Sequence, residues 1–307
     1  MPAPAMAWPR EIAPAWVAAD IGGHGAPSAG QVVSVHDAVV NLEVDGWDHL
    51  LMVAGPSLYR GPSAIGLPAP EFAAVKTLLA SGGAVRYEPG ALEFASSVLT
   101  VRMDLGGPVV SFSPPEAIHF VPSAFRKRLP EAVAELRAVT SGDLCQVLLG
   151  SAHGSDPFAE PVAEAFPALL RALDAGDEPG FVDAARKLVG LGYGSTPTGD
   201  DLIHGASIAV HYAHRCVRAT RRVPRIPSEV SRATTRLGAH MIEMGSRGLT
   251  PEPVRELLLA LLAGRSVSAE LRALDRMGAD SGRSVAVGAV LTITSLLDEV
   301  QEGGEAA

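Results

Sequence analysis

Cysteine is nearly absent. Cys145 and Cys216 are the only two in 307 residues, they stand far apart, and they match no C-x-x-C or zinc spacing. That excludes a disulfide framework and a cysteine-based metal cluster, and it fits a cytoplasmic location. Aromatic residues are also scarce, at 5%, so alanine, valine and leucine must build most of the core. Positive charge is in deficit: 25 lysines and arginines face 34 acids, for a net charge of −9. Binding to nucleic acid or to an anionic membrane surface depends on cationic side chains, so neither is an expected partner and any anionic ligand must be held locally. Arg215, Arg218, Arg221, Arg222 and Arg225 cluster, and they read as a solvated helix end and loop. No apolar run is long enough to span a bilayer, which takes about 20 residues. The most apolar stretch, SVAVGAVLTITSLL from Ser284 to Leu297, carries hydroxyls and reads as a buried helix. The opening MPAPAMAWPREIAPAWVAAD has prolines where a signal peptide needs an apolar centre, so residues 1–30 are expected to be a loose or partly docked arm.

What is present is a globular composition, 47% hydrophobic and 19% charged, in a chain long enough for one large domain or two ordinary ones. Two periodicities divide it. From Gln31 to about Phe120 the apolar residues favour period two. Leu42 and Val44 lead into Asp45-Gly46, with HLLMVAG following, which predicts a hairpin. Pro89-Gly90 separates the strand pair AVRY and ALEF, and Leu99, Val101, Met103 and Leu105 alternate with polar residues. A short helix from about Pro70 to Leu79 interrupts these strands. After Pro122 the period becomes 3.6: Val162, Ala165, Phe166, Leu169, Leu170 and Leu173 form one stripe. Phe181, Ala184, Ala185 and Leu188 form another, followed by Val230, Ala233, Leu237 and Met241, and by Val254, Leu257, Leu258 and Leu261. The expected fold is α+β, with a mostly antiparallel β-rich domain over 31–121 followed by an all-helical domain over 122–303.

The densest chemistry lies in GLGYGSTPTGDDLIHGAS, Gly190 to Ser207. Gly194 and Gly199 have the spacing of a P-loop's first half, but Asp200 and Asp201 stand where the lysine and hydroxyl residue belong, so a Walker-type site is not expected. Pro197 fixes φ, while Gly192, Gly194 and Gly199 permit positive φ; successive amides in such a bend form an anion-binding nest at a helix start. Ser195, Thr196 and Thr198 add hydroxyl donors. Two carboxylates would repel an anion unless a divalent cation stood between them, so Asp200 and Asp201 are candidate Mg²⁺ ligands. A purely structural role for the same acids is the alternative, since aspartate at the first turn caps a helix and complements its dipole. His204 shares a face with Asp200, yet a lone histidine there, like His211 and His214, is more often a packed helix residue. TGDDLIHG and SGRSVAVG each place a hydroxyl residue before a glycine and a second glycine six positions later; taken alone this echo reads as chance, and the alternative is that the two helices cross near their N-termini. Arg60, beside Gly61-Pro62, is a candidate carboxylate clamp or an ordinary turn arginine.

GLGYGSTPTGDDLIHG resembles the G-x-G-x-T-P-S-G-D-D-x-x-x-G signature of the AllH-like family, which includes one subunit of oxamate carbamoyltransferase. GQVVSVHDAVVNLEVDG, YRGPSAIGLP, TTRLGAHMIEMGSRGLTPEPVRELLLALLAG and GADSGRSVAVGAVL are similar to further family segments in the same order, so the likeness runs from about Val17 to the C-terminus. The chain departs from the pattern at Thr198, where serine is usual, at His204, where an apolar residue is usual, and at Arg283-Ser284, where an aspartate often follows S-G. The resemblance implies a role in ureide breakdown: phosphorolysis of oxalurate to oxamate and carbamoyl phosphate, by a complex with other protein subunits.

On this reading Asp200 and Asp201 organise the site. Gly192, Gly194, Ser195, Thr196, Thr198 and Gly199 hold a small anionic substrate, and Arg60, or Ser281, Gly282 and Arg283, hold its second charged group. No organic cofactor is implied, and no nucleophile is evident, so positioning and electrostatic stabilisation would carry catalysis. Whether the chain is itself an enzyme stays open. The rivals are a non-catalytic assembly or regulatory subunit and a stand-alone Mg²⁺-dependent enzyme acting on a small amide or phosphate.

Overall fold

A computed structural model describes residues 11–23, 26–80, 82–96, 100–140, 143–150, 156–217, 223–278 and 280–297. The fold is α+β, and the chain divides into two compact units, Met1–Phe112 and Ser113–Ala307.

The first unit is a ten-stranded sheet. Its strands are β1 (Glu11–Ile12), β2 (Trp16–Ala18), β3 (Ser28–Val35), β4 (Val39–Val44), β5 (Leu50–Ala54), β6 (Ala64–Gly66), β7 (Ala84–Glu88), β8 (Ala91–Ala95), β9 (Thr100–Asp104) and β10 (Val109–Val110). They lie in the order β1-β9-β8-β7-β3-β4-β5-β6-β2-β10. Most neighbours are antiparallel, while β1–β9, β5–β6 and β2–β10 are parallel. The Asp45-Gly46 turn joins β4 to β5, with Gly46 at φ 82°, and the Pro89-Gly90 turn joins β7 to β8, with Gly90 at φ 83°. In β9, Val101 and Met103 are buried and Thr100, Arg102 and Asp104 exposed; Leu99, the first residue of that expected alternation, lies outside the described residues. Two strands, β1 and β2, arise within the stretch expected to be an arm. Helix α1 (Ala69–Ala80) covers the sheet with Phe72, Val75, Leu78 and Leu79.

The second unit is helical. Its elements are α2 (Pro122–Val139), α3 (Asp143–Leu148), α4 (Ala159–Ala175), α5 (Glu178–Leu188), α6 (Thr198–Val217), α7 (Ser228–Ser231), α8 (Arg236–Ser246), α9 (Glu252–Leu262), α10 (Ser268–Ala273), a 3-10 turn at Leu274–Met277, and α11 (Ser281–Leu297). The stripes expected in α4, α5 and α9 face inward, except that Leu170 is half-buried. The single helix suggested by Val230, Ala233, Leu237 and Met241 is instead two. The chain leaves α7 after Ser231, Ala233 is exposed, and Thr235 starts α8 by accepting a hydrogen bond from the Gly238 N–H at 2.9 Å. Hydrophobic spacing does not register such a break, because a capping side chain interrupts the helix without shifting its phase.

Helices α6 and α11 form the centre of this unit. α6 is buried continuously from Gly199 to Val210, and α11 nearly so from Gly282 to Val290. They cross at the second glycines of the sequence echo. A Cβ on Gly205 would overlap the Val285 carbonyl oxygen of α11, and one on Gly288 would lie 2.5 Å from the Leu202 carbonyl oxygen of α6. Each glycine therefore admits the other helix's backbone, which no larger residue allows. Among the described residues, no helix is long and apolar enough to cross a membrane.

Candidate functional site

The bend between α5 and α6 is shaped by glycines for two distinct reasons. Gly190, Gly192 and Gly194 take φ of 77°, 111° and 87°, values that cost an L side chain strain. Gly199, expected to be a third positive-φ position, is helical. It is glycine because a Cβ would overlap the carbonyl oxygen of Leu188. The bend closes through hydrogen bonds from Leu191 N–H to the Leu188 carbonyl at 2.9 Å and from Gly199 N–H to the Leu191 carbonyl at 2.8 Å. Pro197 is buried, and its carbonyl accepts from the N–H groups of Asp200 (3.0 Å) and Asp201 (3.2 Å). The amides of residues 199–201 are thus used within the protein. Those of Gly194, Ser195 and Thr196 have no partner among the described residues.

Adjacent residues on a helix point about 100° apart, and the two aspartates diverge accordingly. Asp200 is 0% exposed. Its Oδ1 accepts from the Gly190 N–H at 2.8 Å and its Oδ2 from the Thr234 hydroxyl at 2.6 Å, so it ties the start of the bend to the segment leading into α8. A Cβ on Gly238 would overlap that same Oδ2. Burial raises the Asp200 pKa above the ordinary carboxylate value, opposed by the Thr234 and Gly190 bonds. Thr235 adds a second tie by donating to the Ser195 carbonyl.

Asp201 is 1% exposed and turns towards α11. The Ser281 hydroxyl donates to its carboxylate, but burial dominates and pushes its pKa well above the usual range, with the Asp200 charge adding to the rise. Its Oδ1 has no hydrogen-bond partner among the described residues. Ser281 also bonds Thr196. Since the serine proton serves Asp201, Thr196 is the donor to Ser281, and a hydroxyl chain runs from the half-buried bend to the buried acid. Below it, the Cys145 Sγ lies 3.4 Å from the Ser284 Oγ, to which it donates, and Ser284 donates to the Asp280 carbonyl at 3.1 Å. Burial pushes the Cys145 thiol up to about 12, so it is no thiolate nucleophile.

Arg283 pairs with Asp275 at 2.6 Å, and Gly282 faces the Leu274 carbonyl, 2.5 Å from where its Cβ would be. Arg60 belongs to the β unit, exposed in the loop between β5 and β6. His204 is a packed helix residue: its Nδ1 lies 2.6 Å from the Met241 carbonyl and its Nε2 3.3 Å from the Thr250 Oγ1. The carbonyl requires the proton on Nδ1, leaving Nε2 as acceptor. Burial lowers its pKa to about 4. His211 bonds the Ser246 carbonyl at 3.0 Å, and His214 is exposed. Arg215 and Arg225 are exposed, while Arg218, Arg221 and Arg222 lie outside the described residues.

The donor set does not fit Mg²⁺. That ion demands near-octahedral oxygen ligation, whereas both Asp200 oxygens already accept from protein donors. Among the described residues no group of three or more His, Cys, Asp and Glu side chains could hold a metal. Thr234, Ser284 and Cys145 complete the junction without any signal in their own sequence neighbourhoods; Thr234-Thr235 marks a helix start, but its partner lies 34 residues away.

The arrangement defines an α+β protein whose helical unit joins two helix N-termini, a glycine bend and a buried acid. Residues 188–293 match the family described as oxamate carbamoyltransferase subunit AllH. The match runs from the last residue of α5 through the bend, α6 and α8 into α11, and so takes in every residue of the junction except Cys145. No curated protein and no solved structure matches the chain.

Proposed function

We propose that this chain is a subunit of an oxamate carbamoyltransferase-like complex that holds a small anionic substrate where the bend at 192–198 meets the N-termini of α6 and α11. The observation that carries this reading is the coincidence of the family match with the Thr196–Ser281–Asp201 hydroxyl chain. Two helix N-termini contribute positive dipole ends, and the amides of Gly194, Ser195 and Thr196 supply donors for an anion. The bend supports this role through Gly192, Thr198 and Gly199, and the α11 start through Ser281 and Gly282. In the proposed reaction a phosphate oxygen bonds to the carbamoyl carbon of oxalurate as that carbon's bond to the oxamate nitrogen breaks, and the nitrogen takes up a proton. The chain's part is to orient the anion and stabilise charge, with Arg283 at the start of α11 as counter-charge and partner subunits completing the assembly.

The test is to purify the chain with the proteins encoded beside it and measure carbamoyl phosphate formed from oxalurate and phosphate. Thr196→Val and Ser281→Ala are expected to lower kcat/KM at least about tenfold, as loss of a donor to developing charge does. A complex that forms but shows no such turnover overturns the reading. A second reading, an architectural subunit, draws on the internal satisfaction of Asp200 and of the 199–201 amides. It predicts that the complex fails to assemble without the chain while both variants keep full activity. Mg²⁺ added to the chain alone is expected to leave Tm unchanged; a saturable, Asp201-dependent rise would restore a metal role.

A further inference from the structure

The two aspartates differ in one respect that their order in the sequence does not foretell: Asp200 has a protein donor on each oxygen, and Asp201 does not. A buried carboxylate oxygen without a donor disfavours the ionised acid; Asp201 closes a hydroxyl chain that begins on the glycine bend, with Ser281 on its other oxygen, and a donor arriving at Oδ1 favours the ionised form again. Its chemistry asks for a hydrogen-bond donor. A second full charge would have to be stripped of water to reach so buried a position, whereas a neutral amide group brings two N–H donors at far smaller desolvation cost.

We propose that Asp201 Oδ1 is the acceptor for the amide N–H₂ of the bound anion, so that the junction selects a carboxamide over its methyl isostere. This rests on the anion-binding reading above. In that arrangement the Thr196 and Ser281 hydroxyls part to admit the ligand. Its anionic end lies against the Gly194–Thr196 amides and its amide end points inward to Asp201. Ser281 stays on the other carboxylate oxygen and holds the acid in register. A site built to bond an N–H group rejects the analogue lacking it, because the acceptor is then left buried and unpaired.

Oxamate and pyruvate provide the probe, since they differ by NH₂ against CH₃ on the same α-keto carboxylate frame. Calorimetric titration of the full chain is expected to show oxamate binding about 10- to 100-fold more tightly than pyruvate, the range set by one buried unpaired group. In Asp201→Ala the two affinities converge to within about threefold, pyruvate being little changed. Asp201→Asn keeps a carbonyl acceptor and the side-chain shape; it is expected to retain most of the preference, and it serves if the alanine variant does not fold. Equal binding of both ligands to the wild-type chain overturns the amide assignment while leaving the anion site intact. Failure of both ligands to bind overturns the anion site and the assignment with it. A preference that survives intact in a folded Asp201→Ala overturns the assignment alone.

Discussion

The starts of α6 and α11 are built alike and equipped differently. In each, a hydroxyl residue precedes a glycine that abuts a carbonyl of the preceding element, Leu188 at the end of α5 for Gly199 and Leu274 in the 3-10 turn for Gly282, and a second glycine six residues on admits the opposite helix. After the first glycine, however, α6 has Asp200-Asp201 and α11 has Arg283-Ser284. The aspartates are buried and hold the junction together, while Arg283 reaches back to Asp275. Shared backbone geometry therefore does not imply shared chemistry. The glycines make the crossing, and the two residues that follow decide which helix start becomes polar inside.

The most damaging break in this comparison is at the crossing itself. Gly205→Val should cost at least about 3 kcal/mol in urea unfolding, or abolish folding, because the clash is with backbone rather than a movable side chain. Gly288→Val should behave alike, and a much smaller loss would mean the helices stand further apart. Next comes Asp200→Ala, which strands the Gly190 N–H and the Thr234 hydroxyl; about 2 kcal/mol should be lost. Thr234→Val should cost about half as much, measurable in the same experiment.

The pH dependence sharpens the contrast further. Asp200 and Asp201 have folded-state pKa values raised above the unfolded value of 3.8. Their protonated forms are favoured in the native state, so the stability they contribute is fully present below 3.8 and is lost as pH rises through the raised values. His204 is shifted the other way, from 6.5 to about 4. Its contribution is intact above 6.5 and disappears as pH falls towards 4. Thermal melts across this range should therefore show an acid limb that His204→Gln flattens and a decline at higher pH that Asp201→Asn flattens. Each tenfold difference in proton affinity between the folded and unfolded chain contributes about 1.4 kcal/mol to such a limb. An unaltered profile in Asp201→Asn would place that acid in a more hydrated setting. The smallest effect should come from α11: Arg283→Ala breaks a partly exposed ion pair with Asp275 and should change stability by no more than about 0.5 kcal/mol.

Much of this architecture is legible locally. The hairpin at Asp45-Gly46, the turn at Pro89-Gly90, helix α1 and the stripes of α4, α5 and α9 each follow from the spacing of apolar residues and the placement of turn formers, interactions that span only a few positions. The crossing of α6 and α11 is only hinted at by the repeated hydroxyl-glycine pattern, which by itself is as well explained by chance; the close approach of Gly205 and Gly288 to the opposite backbone decides it. The break between α7 and α8 is not, since Thr235 caps a helix without disturbing the apolar period. Nor can the roles of Asp200 and Asp201 be separated from sequence: the donors that distinguish them come from Gly190, Thr234 and Ser281, and two of these lie on other helices or their approaches.

By itself the amino-acid order determined the two periodicities, the helix starts, and the need for glycine at the bend, because each follows from short-range sterics and burial. Only tertiary packing decided that one aspartate is bonded on both oxygens and its neighbour on one. A carboxylate's state depends on which donors and how much water surround it, and here those neighbours arrive from segments tens of residues away.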